Sequence, residues 1–346
     1  MSRRPPFRKR GGRRAVRRGP GPMRRIGSVL STLVVVALLG GGWVFWTYRG
    51  PGPAAAPASV ILPHGSSVSQ IARALKAGDV IGSEKLFQLA ARFSGAGRSL
   101  KAGEYEFPSH ASMAQVLADI RDGKVVRHLV SVPEGFTSEM ALDAVRAQPV
   151  LVGDARAPPE GSILPDTYQV QRGQTREAVI QTMRDAQAAL LAELWANRAP
   201  GLPFATPQEA VTMASIVEKE TGVPAERPRI AAVFENRLKA HMRLESDPTI
   251  IYAISRGRPL GRGITMSELM TPTPYNTYRI DGLPPTPIAN PGRASLAAVL
   301  NPAKTDDLFF VADGTGGHVF ASTLAEHQAN VAKWRAIERA RAAGAK

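Results

Sequence analysis

The chain has 346 residues, enough for one to three domains, and its 44% hydrophobic residues are sufficient for real cores. It contains no cysteine, which excludes disulfides, thiolate nucleophiles and cysteine-ligated metals. The formal net charge is +15, but residues 1–25 hold eleven Arg or Lys and no acid, so the rest of the chain carries only +4. This uneven distribution argues against nucleic-acid binding, because the basic block directly precedes a hydrophobic stretch.

The N-terminal region predicts a membrane anchor. Residues 1–25 are basic and rich in Gly and Pro, and are expected to be a disordered cytoplasmic tail. Residues 26–48 contain no charged side chain and are long enough to span a bilayer. The flanking arginines predict a cytoplasmic N-terminus, with the bulk of the chain on the extracytoplasmic side of the membrane. A cleaved signal peptide is the alternative.

Residues 49–58 read as an extended linker, and residues 59–132 are predicted to form a small α/β module. Alternating apolar positions predict strands at SVILP, LKAGEYEF and VVRHLVSV, and amphipathic patterns predict three helices between them. The second helix, SEKLFQLAARF, is expected to bury a stripe formed by Leu86, Leu89, Ala90 and Phe93.

Residues 133–200 are predicted to form a connecting helical region. FTSEMALDAVRAQ begins at a Thr or Ser cap, and TREAVIQTMRDAQAALLAELWANRA has the pattern of a long amphipathic helix. We interpret that long helix as scaffold. With residues 201–346, these patterns predict a mixed α+β domain, and an α+β class for the whole chain.

The most informative stretch is TPQEAVTMASIVEKETGVP, which predicts a helix of about four turns. Thr206 is a good N-cap, Pro207 suits the first helical position, and Glu209 completes a capping box. Gly222 and Pro224 are expected to end the helix.

Two carboxylates, Glu218 and Glu220, lie near the end of this helix. At about 100° per residue, they fall at opposite margins of its apolar face. A carboxylate at such a margin can be partly desolvated, which raises its pKa and suits it to donate a proton near neutrality. Solvated boundary residues would show the same pattern, and periodicity does not choose between the two glutamates.

The next segments carry groups suited to a binding cleft. ERPRIAAVFENRLKAHM predicts a second helix, with Asn236 and Arg237 away from its buried stripe. The run MRLESDPTIIY contains Glu245, Asp247 and Thr249, and Thr249 is expected to cap a short helix. A lone Asn-Arg pair on a helix usually lies on a solvated face, although the uncharged amide of Asn236 can also hold a polar group of a ligand.

The segment TPTPYNTYRIDGLPPTPIANPG predicts an ordered loop, because it is too rich in Pro and Gly for a regular element and too apolar for a free linker. Tyr275, Asn276 and Tyr278 offer the rings and polar groups of a sugar-binding wall, although tyrosines in ordered loops are as often core. DLFFVADGTGGHVFA predicts a β-hairpin, and HQANVAKWRAIERARA a terminal helix. His318 and His327 make no zinc pattern, so no metal or cofactor is expected.

Taken in order, ASIVEKET, FENRL, MRLESDPTIIY, TPYNTY, GLPPTPIANPG and FVADGTGGHVF resemble the YceG-like family of endolytic murein transglycosylases. The LKAGEYEF and VPEG segments are similar to the LysM-like module of that family, which implies either glycan binding or a spacer role for residues 59–132. The resemblance implies that the first glutamate of the VEKE run, Glu218, is the catalytic acid/base. Positions 245 and 270, Glu and Met here, depart from the family, which often has Gln and an acid there. The candidate substrate-binding residues are Glu220, Asn236, Glu245, Asp247, Thr249, Tyr275, Asn276 and Tyr278.

The resemblance implies a membrane-anchored lytic transglycosylase that cuts the MurNAc-β-1,4-GlcNAc bond inside peptidoglycan strands and leaves a 1,6-anhydroMurNAc end. One carboxylate could suffice, because the attacking C6 hydroxyl is intramolecular and no water needs activation. A part in terminating nascent glycan strands and contacts with cell-wall synthases are further implications. The alternatives are a non-catalytic peptidoglycan-binding scaffold and a hydrolytic muramidase that uses Glu218 with Glu245 or Asp247.

Overall fold

The computed structural model describes residues 22–344, which divide into two compact units, one ending at Val126 and the other beginning at Arg127. Helices and short antiparallel strands alternate in both units, which confirms the predicted α+β class. The predicted tail lies largely outside the described residues. Its last four positions, 22–25, were expected to be disordered but belong to the first helix, so that prediction was wrong for them.

Helix α1 (Pro22–Arg49) contains a stretch, Leu30–Arg49, that is long and apolar enough to cross a membrane. Its large side chains lie mostly exposed, and Leu38 and Leu39 are each 70% exposed. A continuous apolar surface of this kind is unfavourable in water. The helix is therefore compatible with a single-pass membrane anchor.

The rest of the first unit has a two-stranded antiparallel sheet covered by three helices. Strand β1 pairs with β2 in a register that joins Ala58 to Phe107 and Leu62 to Gly103. Ser67 and Ser112 accept hydrogen bonds from backbone N–H groups in the first turns of α2 and α4 and thereby cap them. The elements are β1 (Ala58–Leu62), α2 (Val68–Ala77), α3 (Glu84–Phe93), β2 (Gly103–Phe107) and α4 (Met113–Asp122).

The buried face of α3 differs from the sequence-based expectation. Phe87 and Ala91 are fully buried, whereas Leu89 is 49% and Phe93 is 84% exposed. The predicted stripe was therefore wrong in two of its four positions, because the helix is rotated by about one residue toward the Phe87 side.

The boundary between the units also lies earlier than predicted. The strand expected near the end of the first module is β3 (His128–Ser131), and it pairs antiparallel with β4 (Thr167–Val170). Since its partner lies in the second unit, this strand belongs there, and the division falls at 126/127 rather than after residue 132.

In the second unit, α5 and the first half of α6 pack against the β3–β4 pair to form one core. A second core surrounds α7, in which residues 210–217 are all buried. Even Thr212 is only 6% exposed, since α8, α9 and α11 pack against the helix. The helices are α5 (Ser138–Arg146), α6 (Arg176–Ala196), α7 (Pro207–Glu220), α8 (Arg227–Lys239), α9 (Asp247–Ser255), α10 (Met266–Met270) and α11 (Arg293–Leu300).

The C-terminal part confirms the predicted hairpin and terminal helix. Strands β5 (Phe309–Ala312) and β6 (His318–Ala321) pair antiparallel, and α12 (Leu324–Gly344) follows them. Residues 271–292 form no regular element, yet residues 287–292 are buried, as expected for an ordered loop.

Candidate active site

The start of α7 is fixed locally by the predicted capping box. The hydroxyl of Thr206 accepts a hydrogen bond from Glu209 N at 3.3 Å, and the Glu209 carboxylate accepts one from Thr206 N at 3.1 Å. The helix then runs through the core and ends at Glu220. Both glutamates are therefore carried to the edge of the core by a rigid buried helix.

Glu218 lies in a buried ion pair. Its Oε1 accepts a hydrogen bond from Arg227 Nη2 at 3.1 Å, and its Oε2 accepts one from Gly292 N at 2.9 Å. The Glu218 side chain is 4% exposed and that of Arg227 is 11% exposed. Arg227 Nη2 also lies 3.4 Å from the Glu134 carboxylate. Both oxygens of Glu218 are thus engaged by donors from the protein itself.

Glu220 has different surroundings. Its Oε1 accepts a hydrogen bond from Ser246 Oγ at 2.5 Å. Burial raises the pKa of Glu220 to about 7, because a low-dielectric environment disfavours the charged carboxylate. The Ser246 hydroxyl and the charges of His318 and Arg237 lower this pKa, whereas the charge of Asp247 raises it.

Several predicted cleft residues lie around Glu220. Asp247 begins α9, and its Oδ1 accepts a hydrogen bond from Tyr278 OH at 2.7 Å. Burial and the bond to Asp247 raise the pKa of Tyr278 well above its usual range. The half-exposed Glu245 carboxylate lies 3.4 Å from Arg237 Nη1. The structure therefore brings Glu220, Asp247, Tyr278 and Glu245 together.

Thr249 belongs to a buried hydrogen-bond network that positions one residue of this cluster. It lies inside α9 rather than at its cap, so the expected capping role was wrong. Its Oγ1 donates to Ser246 O at 2.6 Å and lies 2.9 Å from Thr277 Oγ1, while Ser246 N donates to the same Thr277 hydroxyl at 2.9 Å. This buried network fixes Ser246, which in turn contacts Glu220.

Three predicted binding residues have structural partners instead. Asn236 donates to the carbonyls of Thr305 and Asp307 at 2.8 and 3.1 Å. Asn276 is 1% exposed, and its amide donates to carbonyls at the end of and just after α10. Tyr275 hydrogen-bonds to Thr286 across the Pro-rich loop and packs against the ring of Tyr252. These contacts connect neighbouring loops and helix ends.

Other residues of the site were not selected from the sequence. Ser246 lies inside the MRLESDPTIIY run, but a serine before an aspartate carries no distinctive pattern. His318 and Glu226 hydrogen-bond to each other although 92 residues separate them, and no local signal relates two such positions. The Arg227 and Gly292 contacts to Glu218 are likewise tertiary.

Comparison with known protein families identifies the family of this chain. The sequence pattern of the YceG-like family matches residues 60–333, and the chain belongs to that family. A Bacillus subtilis protein named endolytic murein transglycosylase is 31% identical over 306 residues, covering 78% of this chain and 82% of its own length. A Streptococcus pneumoniae protein of the same name is 28% identical over 363 residues. The match covers 88% of this chain but only 64% of that streptococcal relative.

The fold is also similar to a solved structure. A crystal structure of a YceG-like protein from Listeria monocytogenes is 29% identical, with a TM-score of 0.50. The similarity covers 79% of this chain and 98% of that one. The described architecture is therefore that of the family.

Proposed function

We propose that this chain is an endolytic lytic transglycosylase that cleaves the MurNAc-β-1,4-GlcNAc bond within peptidoglycan strands. Two relatives that cover most of the chain carry the name endolytic murein transglycosylase. The site supports the same chemistry, because a carboxyl group with a pKa of about 7 lies at the rim of the core. Family membership and the names of these relatives are the findings on which the proposal chiefly rests, and Glu220 is the acid that the site offers.

The reaction needs one group that first donates and then accepts a proton. Protonated Glu220 gives its proton to the glycosidic oxygen as the bond to C1 breaks. The resulting carboxylate takes the proton from the C6 hydroxyl of the muramoyl residue while that oxygen attacks C1. The product is a 1,6-anhydro end, and no water is consumed.

Glu220 fits this role better than Glu218, the residue that the family resemblance implied. Both oxygens of Glu218 already accept hydrogen bonds, from Arg227 and from Gly292 N, and its side chain is only 4% exposed. A general acid must be protonated before the reaction, and the burial of Glu220 favours that form. Glu218 remains the second candidate for the acid, and otherwise a part of the ion network that holds the end of α7.

A hydrolytic muramidase is a second candidate function. Asp247 lies close enough to Glu220 for its charge to raise the pKa of that group. Two neighbouring carboxylates could activate water and give a hydrolytic product instead. Glu245 is a weaker choice for the second carboxylate, since its side chain pairs with Arg237.

Product analysis tests these functions and the identity of the acid together. Purified peptidoglycan is digested with the full chain in detergent and with the Glu220→Gln, Glu218→Gln and Asp247→Asn variants, and fragment ends are identified by mass spectrometry. We expect anhydro-muramoyl ends from the parent and a loss of at least about 100-fold in Glu220→Gln alone.

Reducing muramic-acid ends, lost in Asp247→Asn, would replace the transglycosylase with a hydrolase. Loss in Glu218→Gln with activity kept in Glu220→Gln would reassign the acid. No fragments from any variant, with glycan still bound, would favour a binding scaffold.

We also propose that α1 anchors the enzyme in the inner membrane with a cytoplasmic N-terminus, as the basic residues before it favour. The first unit after α1 would serve as a LysM-like glycan-binding module or a spacer, and the second unit would be the catalytic region. Cell-wall synthases are proposed partners, consistent with a role in ending nascent strands. Protease accessibility in spheroplasts tests the orientation, and sedimentation with insoluble peptidoglycan after changes in the first unit tests glycan binding.

A further inference from the structure

The β5–β6 hairpin carries a histidine that the proposed reaction does not use. His318 is the first residue of β6, and its Nδ1 lies 2.8 Å from Glu226 Oε2. Its backbone N–H donates to Glu226 Oε1, also at 2.8 Å. The ring of Phe310 packs edge-on against the imidazole, with ring centroids 5.4 Å apart. The imidazole is thereby held in one orientation.

Glu226 connects this histidine to the end of α7. Thr221, the residue after Glu220, donates from Oγ1 to Glu226 Oε2 at 3.2 Å. A side chain at Gly317 would come within 2.7 Å of Glu226 Oε1, so the glycine leaves room for the carboxylate under the hairpin turn. His318 is thus anchored to a carboxylate that is itself tied to the residue beside Glu220.

The pairing leaves one ring nitrogen available. Burial raises the pKa of Glu226, but the hydrogen bonds from His318 outweigh it and hold that pKa below its usual range. An ionised carboxylate is only an acceptor, so Nδ1 carries the hydrogen of this contact and Nε2 is the second ring nitrogen. Nε2 makes no hydrogen bond to any residue between 22 and 344 that the structure describes.

We propose that His318 is a positioning residue of the active site, fixed by Glu226 so that its charge acts on the carboxylate of Glu220. This inference rests on the proposed function, in which Glu220 must be acid first and base second. A protonated imidazole stabilises the carboxylate left after proton donation. His318 would therefore keep Glu220 able to give its proton and take one back near neutrality.

The other charged groups around the two residues do not remove this effect. Asp313, in the hairpin turn, also interacts with His318. Glu220 additionally faces Asp247 and Arg237, whose effects on it oppose one another. Histidine is the side chain whose charge ordinarily changes between about pH 5 and pH 8.

Two substitutions separate the charge of His318 from its structural contact. His318→Asn places an amide nitrogen near the position of Nδ1, so the hydrogen bond to Glu226 can remain while Nε2 and the charge are lost. His318→Lys supplies a charge that persists throughout the range of interest. In the full chain, labelled with carboxyl-13C glutamate, the titration of Glu220 is followed by NMR and its resonance is assigned by its loss in Glu220→Gln. The pH–rate profile on peptidoglycan is measured in parallel.

We expect the Glu220 midpoint to rise by about half a pH unit or more in His318→Asn and to fall in His318→Lys, because loss of a neighbouring positive charge disfavours the carboxylate and a permanent charge favours it. The alkaline limb of the pH–rate profile should move in the same directions. Midpoints unchanged in both variants would overturn the proposal and leave His318 as a structural contact. If the parent releases no anhydro ends, the proposed function fails, while the NMR titration still decides whether His318 acts on Glu220.

Discussion

Arg227 forms a buried ion pair with Glu218, in which Nη2 lies 3.1 Å from Oε1 and the side chains are 11% and 4% exposed. The pair joins the first turn of α8 to the last turn of α7. Two residues further along α7, Glu220 has no such counterion at hydrogen-bond distance among residues 22–344 and bonds to the Ser246 hydroxyl instead. Two glutamates on one helix therefore have different surroundings, an ion pair at Glu218 and a hydroxyl group at Glu220.

Removing the positive partner of this ion pair while keeping the negative one should destabilise the protein. In Arg227→Met, Glu218 stays buried without its counterion, which typically costs about 3–5 kcal/mol of unfolding free energy. Urea unfolding of the full chain in detergent, followed by tryptophan fluorescence, measures the loss. The Glu218→Gln/Arg227→Met double variant should recover part of it, since no uncompensated charge remains.

The matched control is Arg293→Met. Arg293 lies 3.8 Å from Glu193, and both side chains are 61% exposed, so about 1 kcal/mol or less is expected. A loss in Arg227→Met no larger than in this control would contradict a structural role for the buried pair.

The surroundings of Glu220 predict two opposite shifts in the pH dependence of activity. The acid must be protonated, so the rate should fall as pH rises through about 7. Ser246 favours the carboxylate by donating to it, so Ser246→Ala should raise the pKa of Glu220 and move the midpoint to higher pH. The charge of Asp247 disfavours the carboxylate, so Asp247→Asn should move the midpoint to lower pH.

Both shifts are measured from the release of anhydro ends between about pH 5 and pH 9, with the midpoint rather than the maximal rate as the readout. Glu139→Gln, a change to an exposed glutamate in the first turn of α5, serves as the control and should leave the midpoint in place. Shifts of Ser246→Ala and Asp247→Asn in the same direction would exclude Glu220 as the titrating acid.

Much of the fold could be predicted because the signals are local. The capping box of Thr206 and Glu209 involves residues three apart, and the β5–β6 hairpin is encoded in one run with a Gly-rich turn. The buried face of α3 was missed, since the three-dimensional packing rather than the pattern decides that Phe87 is buried and Phe93 is not. Similarly, β3 was assigned to the wrong unit because its partner lies 39 residues further on, at β4.

The site was predictable only in part. The sequence patterns indicated Glu220, Asp247 and Tyr278, which do lie together. They also indicated Asn276, whose amide already donates hydrogen bonds to backbone carbonyls. Residue type alone does not reveal whether a polar group already has partners. The role of His318 depends on a carboxylate 92 residues away, and only the folded chain brings the two together.

Introducing charged side chains into the apolar stretch of helix α1 should abolish membrane attachment. Val35 and Leu38 are exposed, at 52% and 70%, near the middle of the apolar stretch. Each arginine at the centre of a membrane helix costs about 2.5–3.5 kcal/mol of insertion free energy. Val35→Arg/Leu38→Arg should therefore leave the membrane fraction on carbonate extraction, whereas Val35→Leu/Leu38→Ile should stay. Retention of the double-arginine variant would mean that α1 is not the anchor.

Glu235 predicts a second pH effect, on stability rather than activity. It lies on α8, is 1% exposed, and neither carboxylate oxygen has a hydrogen-bond partner among the described residues. Burial raises the pKa of Glu235 to about 8, and the charge of Lys239 lowers it only in part. The folded chain therefore prefers the neutral acid. Below the ordinary glutamate pKa, the neutral acid leaves the unfolding free energy at its full value. The unfolding free energy declines as pH rises above that pKa and reaches its lowest value near pH 8, where the buried group ionises.

Glu235→Gln keeps the shape of the side chain but cannot ionise. It should change the unfolding free energy little near pH 5 and raise it near pH 9 by about 2–4 kcal/mol, given about 1.4 kcal/mol for each pH unit of pKa displacement. Urea unfolding at the two pH values measures the difference, with Glu193→Gln, an exposed glutamate on α6, as the control that should gain nothing. An equal gain at both pH values would show that the substitution acts through packing, and that the charge of Glu235 is not what destabilises the core.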